Sequence, residues 1–132
     1  MKNCFEIRTG RHCVFDLNVH LVFLTKYQKA VFDEKMLSVL KQIFAHVLSQ
    51  FEAELIDFSG GTNYVHLAIN YPPKNTVSKM VNSLKGVSSR RLKQQVSNWE
   101  KVYCQGTLWA SSYFAGSSGD QKNTIDYYIK NR

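Results

Sequence analysis

The sequence has only three cysteines, Cys4, Cys13 and Cys104, an odd number without matched spacing. That argues against a disulfide framework and a zinc ribbon, and makes a reducing cytosol the expected setting. No apolar run approaches bilayer-spanning length, and the N-terminus lacks a secretory pattern, so no membrane role is expected. No glycine-rich phosphate loop precedes a helix, and no Gly-x-Ser-x-Gly elbow occurs. Nucleotide hydrolysis of the P-loop type and serine hydrolysis are therefore excluded. Internal repeats and low-complexity tracts are also missing. Prolines number only two, adjacent at Pro72 and Pro73. Finally, no Asp or Glu occurs between Asp57 and Glu100.

The proline pair closes the stretch around which the chain is organised, Asn63 to Pro73. Gly60 and Gly61 precede it as a turn. Val65, Leu67 and Ile69 then alternate with Tyr64, His66, Ala68 and Asn70, which predicts a strand. Proline cannot donate to a sheet ladder, so the strand ends at Pro72. Alternation puts Tyr64 and His66 on one face and the aliphatic residues on the other.

At 132 residues the chain is long enough for one domain over 1–132 with a real core. Residues 1–11 read as a polar arm. Residues 13–24 alternate as the first strand. Phe15, Leu17, Val19, Leu21 and Phe23 face one way, and Asp16, Asn18 and His20 the other. Asp33 is placed as an N-cap, and Met36, Leu37, Leu40, Ile43, Phe44, Val47, Leu48 and Phe51 follow at helical spacing. His46 lies off that stripe, as an exposed helical histidine. Ala53 to Phe58 reads as a strand, turning through residues 59–62 into the focal one. Asn75 or Thr76 can cap a second helix whose buried stripe is Val77, Met80, Val81, Leu84, Val87 and Leu92. Gly86 inside it costs about 1 kcal/mol against alanine. A loop is expected over residues 97–107, a last strand over 108–115, and a Gly/Ser joint over 116–119. A short C-terminal helix follows, within residues 120–132, and the joint leaves it free to dock away from its own body.

The order β-α-β-β-α-β predicts an α+β fold of the ferredoxin-like, split βαβ kind. It has a four-stranded antiparallel sheet, two helices on one face, and the extra C-terminal helix. The other sheet face is left to Asn18, His20, Tyr64 and His66, where a ligand could lie.

The net charge is +7, which bears on partners and not on fold. A charge run on a helix is usually a solvated face. Here Lys79, Lys85, Arg90, Arg91 and Lys93 have no local acidic compensation, which favours nucleic acid. Lys26 and Tyr27 form a basic, aromatic connection of the sort that suits single-stranded nucleic acid. Without nearby chemistry they would be an ordinary solvated loop. Adjacent Tyr127 and Tyr128 are ordinarily packing residues. A phenol can also attack a phosphodiester when a divalent cation polarises the phosphate.

Several stretches, in order, resemble the small single-tyrosine HUH transposases of the insertion-sequence 200/605 group. They are Val19-His20-Leu21-Val22-Phe23 with Thr25-Lys26-Tyr27, the stretch Asn63 to Pro73, and Leu84-Lys85-Gly86-Val87-Ser88-Ser89-Arg90-Arg91-Leu92. Leu108-Trp109-Ala110-Ser111-Ser112-Tyr113-Phe114 and Tyr128-Ile129 complete the set, covering about residues 11–132. The resemblance implies a prokaryotic cytoplasmic dimer, on the nucleoid during action. It would bind single-stranded DNA hairpins at element ends and cut and rejoin DNA through a 5′-phosphotyrosine with Mg2+ or Mn2+. It also implies Tyr128 as nucleophile, on a helix that often serves the partner subunit's metal site, and His66 as the second metal-binding histidine.

Three positions depart from the family's pattern. Tyr64 stands where the family has its first histidine, and Arg132 where it has a metal-binding glutamine; Asn63 replaces an aspartate. A neutral phenol is a poor ligand for a hard cation, and a guanidinium cannot ligate at all. A cation held by His66, phosphate oxygens and waters is an intermediate arrangement. Three readings follow: a transposase, a relative that only binds DNA hairpins, and an RNA-binding domain using sheet aromatics. The last lacks an aromatic consensus on the central strands.

Overall fold

The structure is a computed structural model that describes residues 7–10, 13–95, 107–117 and 122–131. Strands β1 (Arg8–Thr9), β2 (Val14–Phe15) and β3 (Asn18–Thr25) lead through a single-turn 3-10 helix, Lys26–Gln28, to α1 (Glu34–Gln50). Then come β4 (Glu54–Gly60), β5 (Tyr64–Asn70), α2 (Val77–Gln95), β6 (Trp109–Gly116) and α3 (Lys122–Asn131). The main sheet has the order β4-β5-β3-β6, with every neighbouring pair antiparallel. This is the ferredoxin-like arrangement that the alternation and helix spacing predict.

The helices form where their caps allow. The Asp33 carboxylate accepts from the Met36 N–H at 2.8 Å, starting α1. Thr76 Oγ1 accepts from the Lys79 N–H at 3.2 Å, starting α2. Each such cap contributes about 1 kcal/mol. Both helices cover the same sheet face. Leu40, Ile43, Phe44, Val47 and Leu48 of α1 and Met80, Val81, Leu84 and Leu92 of α2 pack with Val19, Leu21, Phe23, Val65, Leu67 and Ile69. Phe23, Phe32 and Phe44 surround Trp109, with ring centroids 5.5 to 6.4 Å apart. The Trp109 indole N–H donates to the fully buried Ser88 Oγ at 3.0 Å, so its polar end is satisfied in the core.

One expectation is corrected. The expected single strand over 13–24 is split, because Val14 and Phe15 pair with Thr9 and Arg8 instead of with the main sheet. Part of the expected arm is thus ordered as a hairpin, with the Arg8 guanidinium 5.0 Å from the Phe15 ring centroid. The final helix is docked on its own sheet, against β3. Residues 97–106 of the expected loop, 118–119 of the expected joint, and 120, 121 and 132 of the expected helix stretch lie outside the described residues. Among the described residues, no helix is long and apolar enough to cross a membrane.

Candidate functional site

Alternation leaves one face of the sheet uncovered by α1 and α2. In β5, Val65, Leu67 and Ile69 are buried on the core side, so Tyr64, His66 and Ala68 face the other way. The register sets Val22 of β3 opposite His66, and His20 opposite Ala68. His20 and His66 are therefore diagonal neighbours on the open face. Their Nδ1 and Nε2 atoms are 3.1 Å apart. The ring centroids are 5.3 Å apart, more than the nitrogens by about two ring radii, so the two nitrogens meet head-on. One ring donates and the other accepts, which requires at least one neutral imidazole. Both are held below the ordinary imidazole range. Burial is the main cause for each; His20 lowers His66 further, while the Asp57 carboxylate works against both shifts.

Asp57 reaches this face through a bulge. The register of β4 on β5 shifts between Leu55 and Asp57, so Asp57 lies opposite Ala68 and Ser59 opposite His66. Without the extra residue, Asp57 would point into the core. Neither Asp57 nor the His20–His66 pairing was identified from sequence. The available signal was that His20 and His66 both sat on polar strand faces.

The other half of the open face carries α3. Ile125 is buried against Val22 and Leu24, with Tyr64, Ala110, Phe114, Tyr128 and Ile129 packed around them. The Tyr128 and Phe114 rings lie 5.8 Å apart, and the Tyr128 hydroxyl is 3.2 Å from Ser112 Oγ. Tyr128 thus shares the face with the histidines, but it is anchored on β6. Strand β3 lies between β6 and β5, and two strand spacings are about 10 Å. Tyr127 is exposed.

Tyr64 is committed to this packing. Its ring lies over Gly61, where a Cβ would overlap it. Of the positions expected around a divalent cation, His66 presents a suitable donor to the open face, Tyr64 contributes packing, and Arg132 lies outside the described residues. Among the described residues, no group of three His, Cys, Asp or Glu side chains converges as a cation site. Of the expected donors, the described residues thus offer the His66 imidazole, with His20 beside it.

Asn18 and Asn70 close one end of the face. Asn70 Nδ2 donates to Asn18 Oδ1 at 3.1 Å, and Arg8 Nη1 donates to Asn70 Oδ1 at 2.7 Å. At the other end, the Thr25 hydroxyl donates to the Lys29 carbonyl at 2.7 Å, and Asn63 Nδ2 to the Gln28 carbonyl at 3.4 Å. These bonds hold the 3-10 turn, in which Tyr27 and Gln28 adopt positive φ of 58° and 52°. A tyrosine there is uncommon, and such strain collects at functional positions. Tyr27 is 76% exposed, with Lys26 Nζ 5.7 Å from its ring centroid. Both line an open cleft of about 620 Å³ with Leu24, Thr25, Gln28, Ala110 and Ser111.

The remaining basic candidates sit on α2, which covers the opposite face of the sheet. Lys79, Arg90 and Arg91 are exposed there, and Lys93 is half-buried. Lys85 differs from them. Its Nζ donates to the carbonyls of Ala110 at 2.8 Å and Ser112 at 3.1 Å, and lies 5.5 Å from the ring centroids of Phe23 and Tyr113. Burial lowers its pKa. It ties α2 to β6. The structure therefore does not gather the expected basic residues and the histidines on one surface.

The family described as "Transposase IS200 like" matches residues 13–132. The ISDra2 transposase TnpA of Deinococcus radiodurans is 30% identical over 128 residues, 96% of this chain and 91% of that protein. The transposase for insertion sequence element IS200 of Salmonella typhimurium is 24% identical over 121 residues, 92% of this chain and 80% of that one. A crystal structure of a candidate transposase from D. radiodurans R1 superposes with a TM-score of 0.85 at 30% identity, covering 94% of this chain and 96% of that one. A REP-associated tyrosine transposase bound to a REP hairpin shares the fold, with a TM-score of 0.59 at 12% identity over 93% of this chain and 71% of that one. With the family match spanning nearly the whole chain and a relative 30% identical along almost all of it, the chain belongs to the IS200-like transposases.

Proposed function

We propose that this chain is a DNA transposase that binds single-stranded DNA hairpins and cuts and rejoins the strand through Tyr128. The observation that carries the reading is that the Tyr128 phenol and the His20–His66 pair occupy the same open sheet face. A phenol at its ordinary pKa of about 10 is a weak nucleophile. It has to lose its proton as it attacks phosphorus. That proton passes to water or to a base at the site. The tyrosine oxygen then bonds to phosphorus, the bond to the 3′-oxygen breaks, and the 5′-phosphate stays on Tyr128. Rejoining reverses these steps with another 3′-hydroxyl. A divalent cation, Mg2+ or Mn2+, would polarise the scissile phosphate, with His66 as its protein ligand.

In the docked position Tyr128 hydrogen-bonds on β6, two strands from His66, so catalysis needs α3 to relocate. A homodimer in which α3 serves the partner subunit's site meets that need. The hairpin is bound by phosphate contacts from Lys79, Arg90, Arg91 and Lys93, with a base stacked on Tyr27 beside Lys26. A second reading, hairpin binding without cleavage, is favoured by the packing of Tyr64 where the family has a metal-binding histidine.

The test is a denaturing-gel assay with labelled single-stranded DNA from the flanks of the coding sequence, with and without Mn2+. A covalent adduct with wild type that Tyr128→Phe abolishes supports strand transfer. Retarded hairpin migration with no adduct under any condition supports binding alone.

A further inference from the structure

We propose that His20 and His66 together form a divalent-cation site, in which β3 supplies the imidazole that position 64 of β5 lacks. His66 alone is a single protein ligand. Tyr64 is folded over Gly61 and packed in the cluster around Ile125. His20 is the side chain that meets His66, with the two ring nitrogens 3.1 Å apart. Two ligands on one ion at about 2.1 Å, with an angle between right and tetrahedral, stand about 3.0 to 3.4 Å apart. The separation already fits. Turning each lone pair by roughly 35–45°, the base angles of that triangle, brings both from facing each other to facing a common point, where the ion replaces the shared proton.

The surroundings favour a cation. Asp57 Oδ1 accepts from the Phe58 N–H at 2.9 Å, which fixes the carboxylate on this face, and its charge acts on both imidazoles. The remaining coordination positions are left to water or phosphate oxygens. Two imidazoles also shift the preference from Mg2+ toward Mn2+ and later transition ions. The cation's use in strand transfer rests on the function proposed above; its binding stands on the geometry of the pair.

The test uses the full chain without DNA. Zn2+, a diamagnetic stand-in, is titrated while the histidine ring nitrogen shifts are followed by NMR, and Mn2+ affinity is measured by calorimetry. In wild type, Zn2+ should move His20 Nδ1 and His66 Nε2 together to coordinated-imidazole shifts and leave His46, exposed on α1, in place. Loss of even an outer-shell partner of a metal ligand costs about 10- to 100-fold in affinity. His20→Ala and His66→Ala should therefore each weaken Mn2+ binding at least about tenfold, with Tyr64→Phe within about twofold of wild type. Unchanged Mn2+ affinity in a folded His20→Ala, or a coordination shift at the His66 ring nitrogen without one at His20 in wild type, overturns the proposal. The wild-type titration decides even where a variant does not fold. A chain that binds Mn2+ in this way but forms no covalent adduct overturns the strand-transfer reading and leaves the cation site standing.

Discussion

Ile125→Ala tests whether the tyrosine helix is a separable unit. Ile125 is 6% exposed and inserts between α3 and the fully buried Val22 and Leu24. The cluster it belongs to is distinct from the main core, which lies on the opposite sheet face. Truncation to alanine removes three carbons, worth about 0.8 kcal/mol each, or about 2.4 kcal/mol before any cavity term. Further anchors include the Tyr128–Ser112 hydrogen bond, about 1 kcal/mol, the Tyr128–Phe114 contact and the packing of Ile129. A helix seated on its own small cluster should undock before the sheet unfolds. The docking equilibrium should shift about fifty-fold. Native-state hydrogen exchange reads this directly. Amides of α3 should lose about 2 kcal/mol of protection, while those of Leu21 and Leu67 in the central strands keep the global value. Equal loss in α3 and in the central strands would refute the reasoning, because it would place α3 inside the cooperative core.

Four further outcomes are expected. Gly86→Ala should raise stability by about 1 kcal/mol in urea denaturation, because a Cβ there meets only the Arg90 guanidinium at 3.8 Å. Lys85→Met should cost about 2 kcal/mol in the same assay, since it abandons the Ala110 and Ser112 carbonyls; unchanged stability with weaker DNA binding would make Lys85 a phosphate contact instead. Arg90→Ala/Arg91→Ala should leave the melting temperature unchanged and reduce the salt slope of single-stranded DNA binding by about 1.4. Thermal stability should fall with pH. His20 and His66 are held below the ordinary imidazole pKa, so the unfolded chain takes up protons first as pH drops through about 6.5, and stability is lost from there down to the lower folded values. A melting temperature equal at pH 7.5 and 5.5 would contradict this, and His20→Asn/His66→Asn should flatten the profile.

The elements themselves were legible because each carries its own period. Leu40, Ile43, Phe44, Val47 and Leu48 read as a helix, and Val65, Leu67 and Ile69 as a strand, before any partner is known. Alternation does not say which strand a segment pairs with, so Val14 and Phe15 were assigned to the wrong ladder. The charge of Lys85 was equally visible, but its two carbonyl acceptors belong to β6, 25 and 27 residues away.

Local chemistry in the sequence determined the sheet, the two covering helices, the polar identity of the open face and the tyrosine near the C-terminus. The tertiary structure decided what meets on that face. His20 and His66 are 46 residues apart, and only the β3–β5 register makes them neighbours at 3.1 Å. Asp57 faces them only because one extra residue in β4 reverses its side. Register and bulge are properties of paired strands, and a one-residue slip in either would have sent these side chains to the core.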